Sequence, residues 1–150
     1  MIDIYSKGIY PANTLSNLTK HPFIIDHVEC GSMEGFLQSL KYRNPQKQII
    51  ICKLYGKAAK KAGQHKYFWR IFGIVWWKGQ AFNLYSDELQ RLIDQAYIEL
   101  FLQNADYQKA IEAIGQSKLI HSIGKTDMRR TILTEYHFIR RIEMLLRRAL

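Results

Sequence analysis

Acidic residues are missing from the middle of this chain: between Gly35 and Ser86 there is no aspartate or glutamate, against ten lysines and arginines. The formal charge over all 150 residues is +9, so the excess sits largely in this stretch, and the helix expected from Asp87 is mixed in sign. A one-signed region attracts anions. It suits a phosphate-bearing ligand or a nucleic-acid backbone, with plain solubility as the alternative role of a basic face. Cysteine is scarce as well. Cys30 and Cys52 show neither metal-ligand spacing nor the pattern of a disulfide scaffold, which points to reduced thiols in a cytoplasmic protein. Neither has a sequence-readable base partner, which argues against nucleophilic catalysis. The five histidines, at 21, 27, 65, 121 and 137, share no ligand spacing, so no metal and no cofactor are expected. No apolar run is long enough to cross a bilayer, and the opening MIDIYSKGIY lacks the basic-then-apolar order of a signal peptide, so no membrane association is expected.

At 150 residues the chain is expected to form one domain spanning 1–150, able to bury roughly 68 to 70% of its unfolded surface. The stretch most suggestive of function is Cys30 to Tyr42, CGSMEGFLQSLKY. At 100° per residue Met33, Leu37 and Leu40 share one arc of a helix, and Glu34, Gln38 and Lys41 fall within about 60° on the adjoining arc. An acid, an amide and an amine thus run along the margin of a core, where a pocket would withdraw them partly from water. Ser32, or Gly31 before it, reads as the N-cap, with Glu34 in the first turn. The plain alternative is that Glu34 only serves the helix end and Lys41 is solvated.

Ile2 to Tyr5 reads as a short strand, and Phe23 to Glu29 as its partner across a turn-rich passage. These loops would set Ser6 and Asn17 beside the Glu34 helix, although Asn17 equally suits a turn. Pro45 to Ala62 reads as a second helix opened by Pro45 and stopped by Gly63, with Lys53, Lys57, Lys60 and Lys61 on one face. His65 to Tyr85 is rich in aromatics, and Lys78-Gly79 suggests a hairpin turn between Trp76-Trp77 and Ala81-Phe82. Most of these aromatics suit a core; Trp69 and Trp77 are retained as stackers for a nucleobase, since cations interleave them. Helices follow from Ser86, from Asp106 to Ile114 with Gly115 as stop, and from Thr134 to Leu150 with Thr134 as N-cap. The expected fold class is therefore mainly α (α+β): a single compact domain of about five or six helices with a small antiparallel sheet or hairpin.

The run from Ile2 to Gly63 carries Tyr5-Ser6, Leu15-Ser16-Asn17, Pro22-Phe23, then Glu34 with Gln38 and Lys41 four and seven residues on, and Ala59-Lys60 with Gly63. In this order and spacing it resembles the N-terminal half of the NADAR, or YbiA-like, N-glycosidase family. Members of that family cleave the bond between a nitrogen and a ribose carbon, in ribosylated pyrimidine intermediates or ADP-ribosylated guanine. The resemblance implies the same fold and a phosphorylated ribosyl or ADP-ribosyl substrate, free or attached to DNA, with Lys60 contacting phosphate. Over Leu119 to Thr131 the chain departs from the family. His121 stands where an acid is usual, and no Trp-Gly turn follows; Ser122 to Asp127 supplies Gly124, Lys125 and Asp127 instead.

Breaking an N-glycosidic bond develops positive charge at the anomeric carbon, so a carboxylate near that carbon and a proton donor for the leaving base are required. The expected catalytic groups are Glu34, Lys41 and Asp127. The expected substrate-binding groups are Tyr5, Ser6, Asn17, Ser32, Gln38, Lys60, Trp69, Trp77, His121, Gly124 and Lys125. His121 equally suits a buried, hydrogen-bonded histidine. Two alternatives to hydrolysis stand beside this reading: a non-catalytic binder of ADP-ribose or a related nucleotide, and a basic nucleic-acid-binding protein. The sequence leaves the oligomeric state open.

Overall fold

Hydroxyl and amide caps place the helices in the computed structural model, which describes residues 1–150. In chain order the elements are β1 (Ile2–Asp3), α1 (Ala12–Leu15), β2 (Phe23–Ile25), β3 (Val28–Cys30), α2 (Met33–Ser39), α3 (Pro45–Cys52) and α4 (Gly56–Ala62). There follow α5 (Phe68–Phe72), β4 (Ile74–Trp77), β5 (Gln80–Asn83), α6 (Asp87–Gln103), α7 (Ala105–Ala113), β6 (Leu119–Ile120) and α8 (Glu135–Ala149). Ser32, Ser86 and Thr134 cap α2, α6 and α8 as their positions imply, each hydroxyl accepting a backbone N–H three residues on. Asn44 caps α3, with Pro45 in the first turn, and Gly115 ends α7 region at a left-handed φ of +58°. The mainly helical α+β class is as expected, and no helix is long and apolar enough to cross a membrane.

Two local expectations are corrected. The helix read over Pro45 to Ala62 is two helices, because three distant groups claim the backbone between them. The Gly31 N–H donates to the Cys52 carbonyl at 2.8 Å, the Ser32 hydroxyl to the Leu54 carbonyl at 2.8 Å, and the Gly56 N–H to the Leu18 carbonyl at 2.7 Å. Gly56 restarts the helix from φ +61°, a conformation open to glycine. This split, together with the short helices α1 and α5, raises the helical segments from the five or six expected to eight. The second correction concerns the strands. β1 pairs in parallel with β6, Ile2 opposite Leu119, while β2 and β3 form their own hairpin over Asp26 and His27. Both turn residues have positive φ, at 48° and 67°, the type I′ geometry that suits the twist of a two-residue hairpin. The β4–β5 hairpin turns at Lys78-Gly79 as the sequence implies.

The apolar arc of α2, with Met33, Phe36, Leu37 and Leu40, packs into one core cluster that includes Tyr97 of α6 and Phe138 of α8. Gln48 ties this layer together from inside. Its amide donates to the carbonyls of Ser39 and Trp76 at 3.0 and 2.7 Å and accepts from the Lys78 N–H at 3.0 Å. Arg141 is buried rather than part of an exposed basic end, pairing with Asp94 of α6 at 3.0 Å. Both cysteines are free and buried.

Candidate functional site

Because α2 commits one arc to the core, its neighbouring edge faces a cleft of about 350 Å³ lined by Glu34, Gln38 and Lys41. The Ser16–Leu18 loop, the end of α4 with Lys60 and Gly63, and Lys66, Trp69 and Arg70 around α5 form the near walls. His121, Ile123, Gly124 and Lys125 together with Arg130 to Leu133 close the far side, with Ser122 and Thr126 to Arg129 left out. Six cationic side chains, Lys41, Lys60, Lys66, Arg70, Lys125 and Arg130, face one carboxylate, Glu34. Four of the ten cations of the acid-free stretch thus meet in one concavity, joined by Lys125 and Arg130 from the C-terminal part of the chain. A larger, shallower depression of about 520 Å³ lies along α8, but it mixes Glu135 and Glu143 with Arg140 and Arg147 and lacks such a convergence.

Glu34 is held at both ends. Its backbone N–H donates to the Asn17 carbonyl at 2.9 Å, and its Oε1 accepts from Gln38 Nε2 at 2.7 Å. The Asn17 side chain accepts, through Oδ1, from the hydroxyl of Tyr97 at 2.8 Å. Tyr97 is fully buried, and burial holds its phenol well above the ordinary range, so it stays a donor. Asn17 is thereby oriented with its amide nitrogen left for the cleft. Gln38 Oε1 is buried without a partner. It lies against Gly63, where a Cβ would overlap it and stand 2.9 Å from Lys41 Cδ. A side chain at Gly63, whose φ is an ordinary −104°, would thus displace the ends of Gln38 and Lys41 from their places in the cleft.

Lys41 Nζ sits 5.0 Å from the centroid of the Trp69 ring. Burial pushes its pKa down to about 8, opposed by the Glu34 carboxylate and reinforced by Arg70 and Lys125. The folded chain thus holds this proton less tightly than the unfolded chain, whose lysine keeps the ordinary 10.5. The resulting penalty on stability is in full force below pH 8 and is relieved as the pH rises toward 10.5. A carbon NMR titration of the lysine side chains should show one signal inflecting near pH 8, absent in Lys41→Arg. A protein whose lysines all inflect near 10.5 would contradict this geometry. His121 Nδ1 lies 2.6 Å from the Ile4 carbonyl, which only accepts, so Nδ1 carries hydrogen and the neutral ring offers Nε2 as an acceptor. Its ring also packs edge-on against Phe138 at 4.8 Å.

Of the residues expected from the sequence, Glu34, Gln38, Lys41, Asn17, Lys60, Trp69, His121, Gly124 and Lys125 meet in this cleft. Five do not. Tyr5 and Ser6 are exposed, because the pairing of β1 with β6 is followed at once by a turn in which the Gly8 N–H donates to the Tyr5 carbonyl. Ser32 is fully buried, with its hydroxyl spent on the Gly35 N–H and the Leu54 carbonyl. Trp77 shares the inner face of β4 with Val75, packs edge-on against Phe36 at 5.1 Å, and donates its indole N–H to Asp26 at 2.8 Å. Asp127 is turned to its own loop, where Arg129 binds it through both backbone and guanidinium and holds its carboxyl below the usual range. Two cleft residues differ from the roles expected. Trp69 is only 2% exposed and serves as wall rather than open platform. The space at Gly124 is taken by protein, since a Cβ there would stand 2.5 Å from His121 Cδ2 and 3.1 Å from Glu135 Cβ. Lys66 and Arg70, two of the cations interleaved with the aromatics, join the lining, as do Gln64 and Arg130, which had not been singled out. The missing acids of 35–86 pointed to the first two; nothing in the sequence marked Arg130.

A sequence model of the family described as Bacteriophage protein GP30.3 matches residues 9–148, nearly the whole chain. The chain belongs to this GP30.3 family. It is 37% identical over 142 residues to the 17.1 kDa protein in the Gp30-rIII intergenic region of Enterobacteria phage T4, covering 92% of this chain and 91% of that one. The GP30.3-family fold is also similar to the NMR structure of the E. coli protein YbiA, with a TM-score of 0.63 over 98% of this chain and 83% of that one. At 14% identity this likeness speaks for the fold, and the YbiA-like fold expected from the N-terminal half extends over 98% of the chain.

Proposed function

We propose that this protein is an N-glycosidase acting on a phosphorylated ribosyl or ADP-ribosyl group joined to a nucleobase. The observation that carries the reading is the lone carboxylate, Glu34, fixed by Gln38 beside a proton-bearing Lys41 in a cleft otherwise lined by cations. The cations hold phosphate, and Glu34 offsets the positive charge that develops at the anomeric carbon. As the carbon–nitrogen bond breaks, its electron pair passes to the base nitrogen, which takes a proton from the Lys41 ammonium. Water adds to the anomeric carbon and gives its proton to Glu34, so one water is consumed per bond broken. An ammonium whose pKa is about 8 is a stronger acid than an ordinary lysine and still carries its proton at neutral pH. The cleft volume also falls within the range of small-molecule sites.

A second reading, binding without cleavage, is favoured by one observation: Asp127 lies outside the cleft, so no second carboxylate supports the first. One experiment separates the two. The protein is incubated with ADP-ribosylated guanine in DNA and, separately, with ribosylaminopyrimidine phosphates, while calorimetry follows ADP-ribose binding. Release of free base supports hydrolysis; heat of binding with no release on any substrate supports the second reading; neither signal would sink both.

A further inference from the structure

Helix α5 has two faces with different surroundings. Trp69 and Arg70, with Lys66 just before the helix, line the cleft. Tyr67, Phe68, Ile71 and Phe72 are each more than half exposed, as is Tyr85, whose ring lies 3.6 Å from the position a Cβ on Gly73 would take. Two of these rings touch, and one of them also lies near a buried tryptophan. The Phe68 and Phe72 rings stand 4.3 Å apart and tilted by 34°, and Phe68 lies 5.7 Å from the Trp76 ring. Large apolar side chains scattered singly over a surface are ordinary, whereas several side by side mark an interaction site.

Charge narrows the partner. The patch lies within the stretch that has no acid from Gly35 to Ser86, and two cations belong to the same segment, Lys66 just before the helix and Arg70 within it. Cations at the margin of this face and the lack of any acid in its own stretch make an anionic complement fit better than a second copy of the same cationic segment. Shape narrows it further. The helix spans only five residues, and its exposed aromatic rings offer flat faces to unstacked bases. Bases inside a duplex already stack on one another and have no free face.

We propose that the outer face of α5 is a stacking platform for single-stranded nucleic acid, which presents the cleft's ligand on a strand rather than free. This rests on the proposed reading of the cleft and adds the carrier of its substrate. Bases stack on Phe68, Phe72 and Tyr67, and the backbone runs toward Lys66 and Arg70, the cations shared with the cleft.

The test is fluorescence anisotropy with unmodified oligothymidylate of about twenty nucleotides, against a duplex of equal length and against polyglutamate. The intact chain should bind the single strand about tenfold or more tighter than the duplex. Phe72→Ala should weaken single-strand binding about five- to a hundredfold, and Phe72→Tyr should retain it. Should Phe72→Ala lose its cooperative melting transition, Tyr67→Ala carries the same comparison from a side chain 60% exposed. Equal affinity for single strand and duplex, unchanged by either alanine, would mean charge alone and overturn the platform. So would polyglutamate losing as much affinity as the oligonucleotide on substitution, which would indicate an acidic protein partner. Because the oligonucleotide carries no ribosylated base, its binding stands or falls apart from hydrolysis. Base release from free nucleotides without strand binding would remove the platform and leave the glycosidase reading.

Discussion

Glu34→Gln is expected to lower base release by about a thousandfold while phosphorylated ligands bind at least as tightly as before. The substitution keeps the side chain's shape, and the new amide oxygen can still accept from Gln38 Nε2, so the edge of α2 keeps its geometry. What it removes is the one negative charge in a cleft with six cations. Loss of the charge that offsets the developing cation raises the barrier; loss of the same charge from a phosphate site lowers repulsion toward the ligand. Rate and affinity therefore move in opposite senses, which a folding defect would not produce. Lys41 supplies an independent readout. Glu34 raises its pKa, so its titration should shift below pH 8 in the variant. Single-turnover release measured with calorimetry decides the matter: undiminished release would remove Glu34 from the chemistry, and a loss of affinity in step with rate would make it a binding group only.

Gly35→Ala should destabilise the protein by about 3 kcal/mol, lowering the melting temperature by roughly 10 °C. Local propensity predicts the reverse, since alanine replaces glycine inside α2 and would gain about 1 kcal/mol in an exposed helix. Packing sets the sign. A Cβ at position 35 would meet the Leu54 carbonyl oxygen at 2.6 Å and the Cys52 carbonyl oxygen at 2.7 Å. Both belong to backbone already engaged, Cys52 by the Gly31 N–H and Leu54 by the Ser32 hydroxyl, so neither can retreat without breaking a buried hydrogen bond. Thermal melts of the two proteins check this, and an unchanged or raised midpoint would show that the backbone after α3 yields to the added methyl group.

The contrast between these glycines and the helix caps shows where sequence reading reaches and where it stops. Ser32, Ser86 and Thr134 were legible because a cap acts on N–H groups two or three residues away. The Lys78-Gly79 turn was legible for the same reason. The break after Cys52 was not, because Gly31, Ser32 and Leu18, the groups that claim its backbone, lie far from it along the chain. Gly56 was the one local sign. Two-residue strands show no alternation, so nothing in Ile2-Asp3 could name Leu119-Ile120 as its partner. In the cleft, the placement of Asp127 was decided by Arg129 two residues on, an attraction that a search for a replacement carboxylate does not weigh. Trp77 was drawn inward by the alternation of β4 together with a distant Asp26.

By itself the sequence determined the mainly helical class, the starts of α2, α3, α6 and α8, and an edge of α2 carrying acid, amide and amine, since each depends on spacing within a few residues. Only the tertiary structure decided that Lys60, Arg70, Lys125 and Arg130 meet that edge across one hollow. Convergence of this kind arises from chain segments that pack together because their apolar sides share a core, and the polar groups they carry are brought along with no local signal of where they will meet.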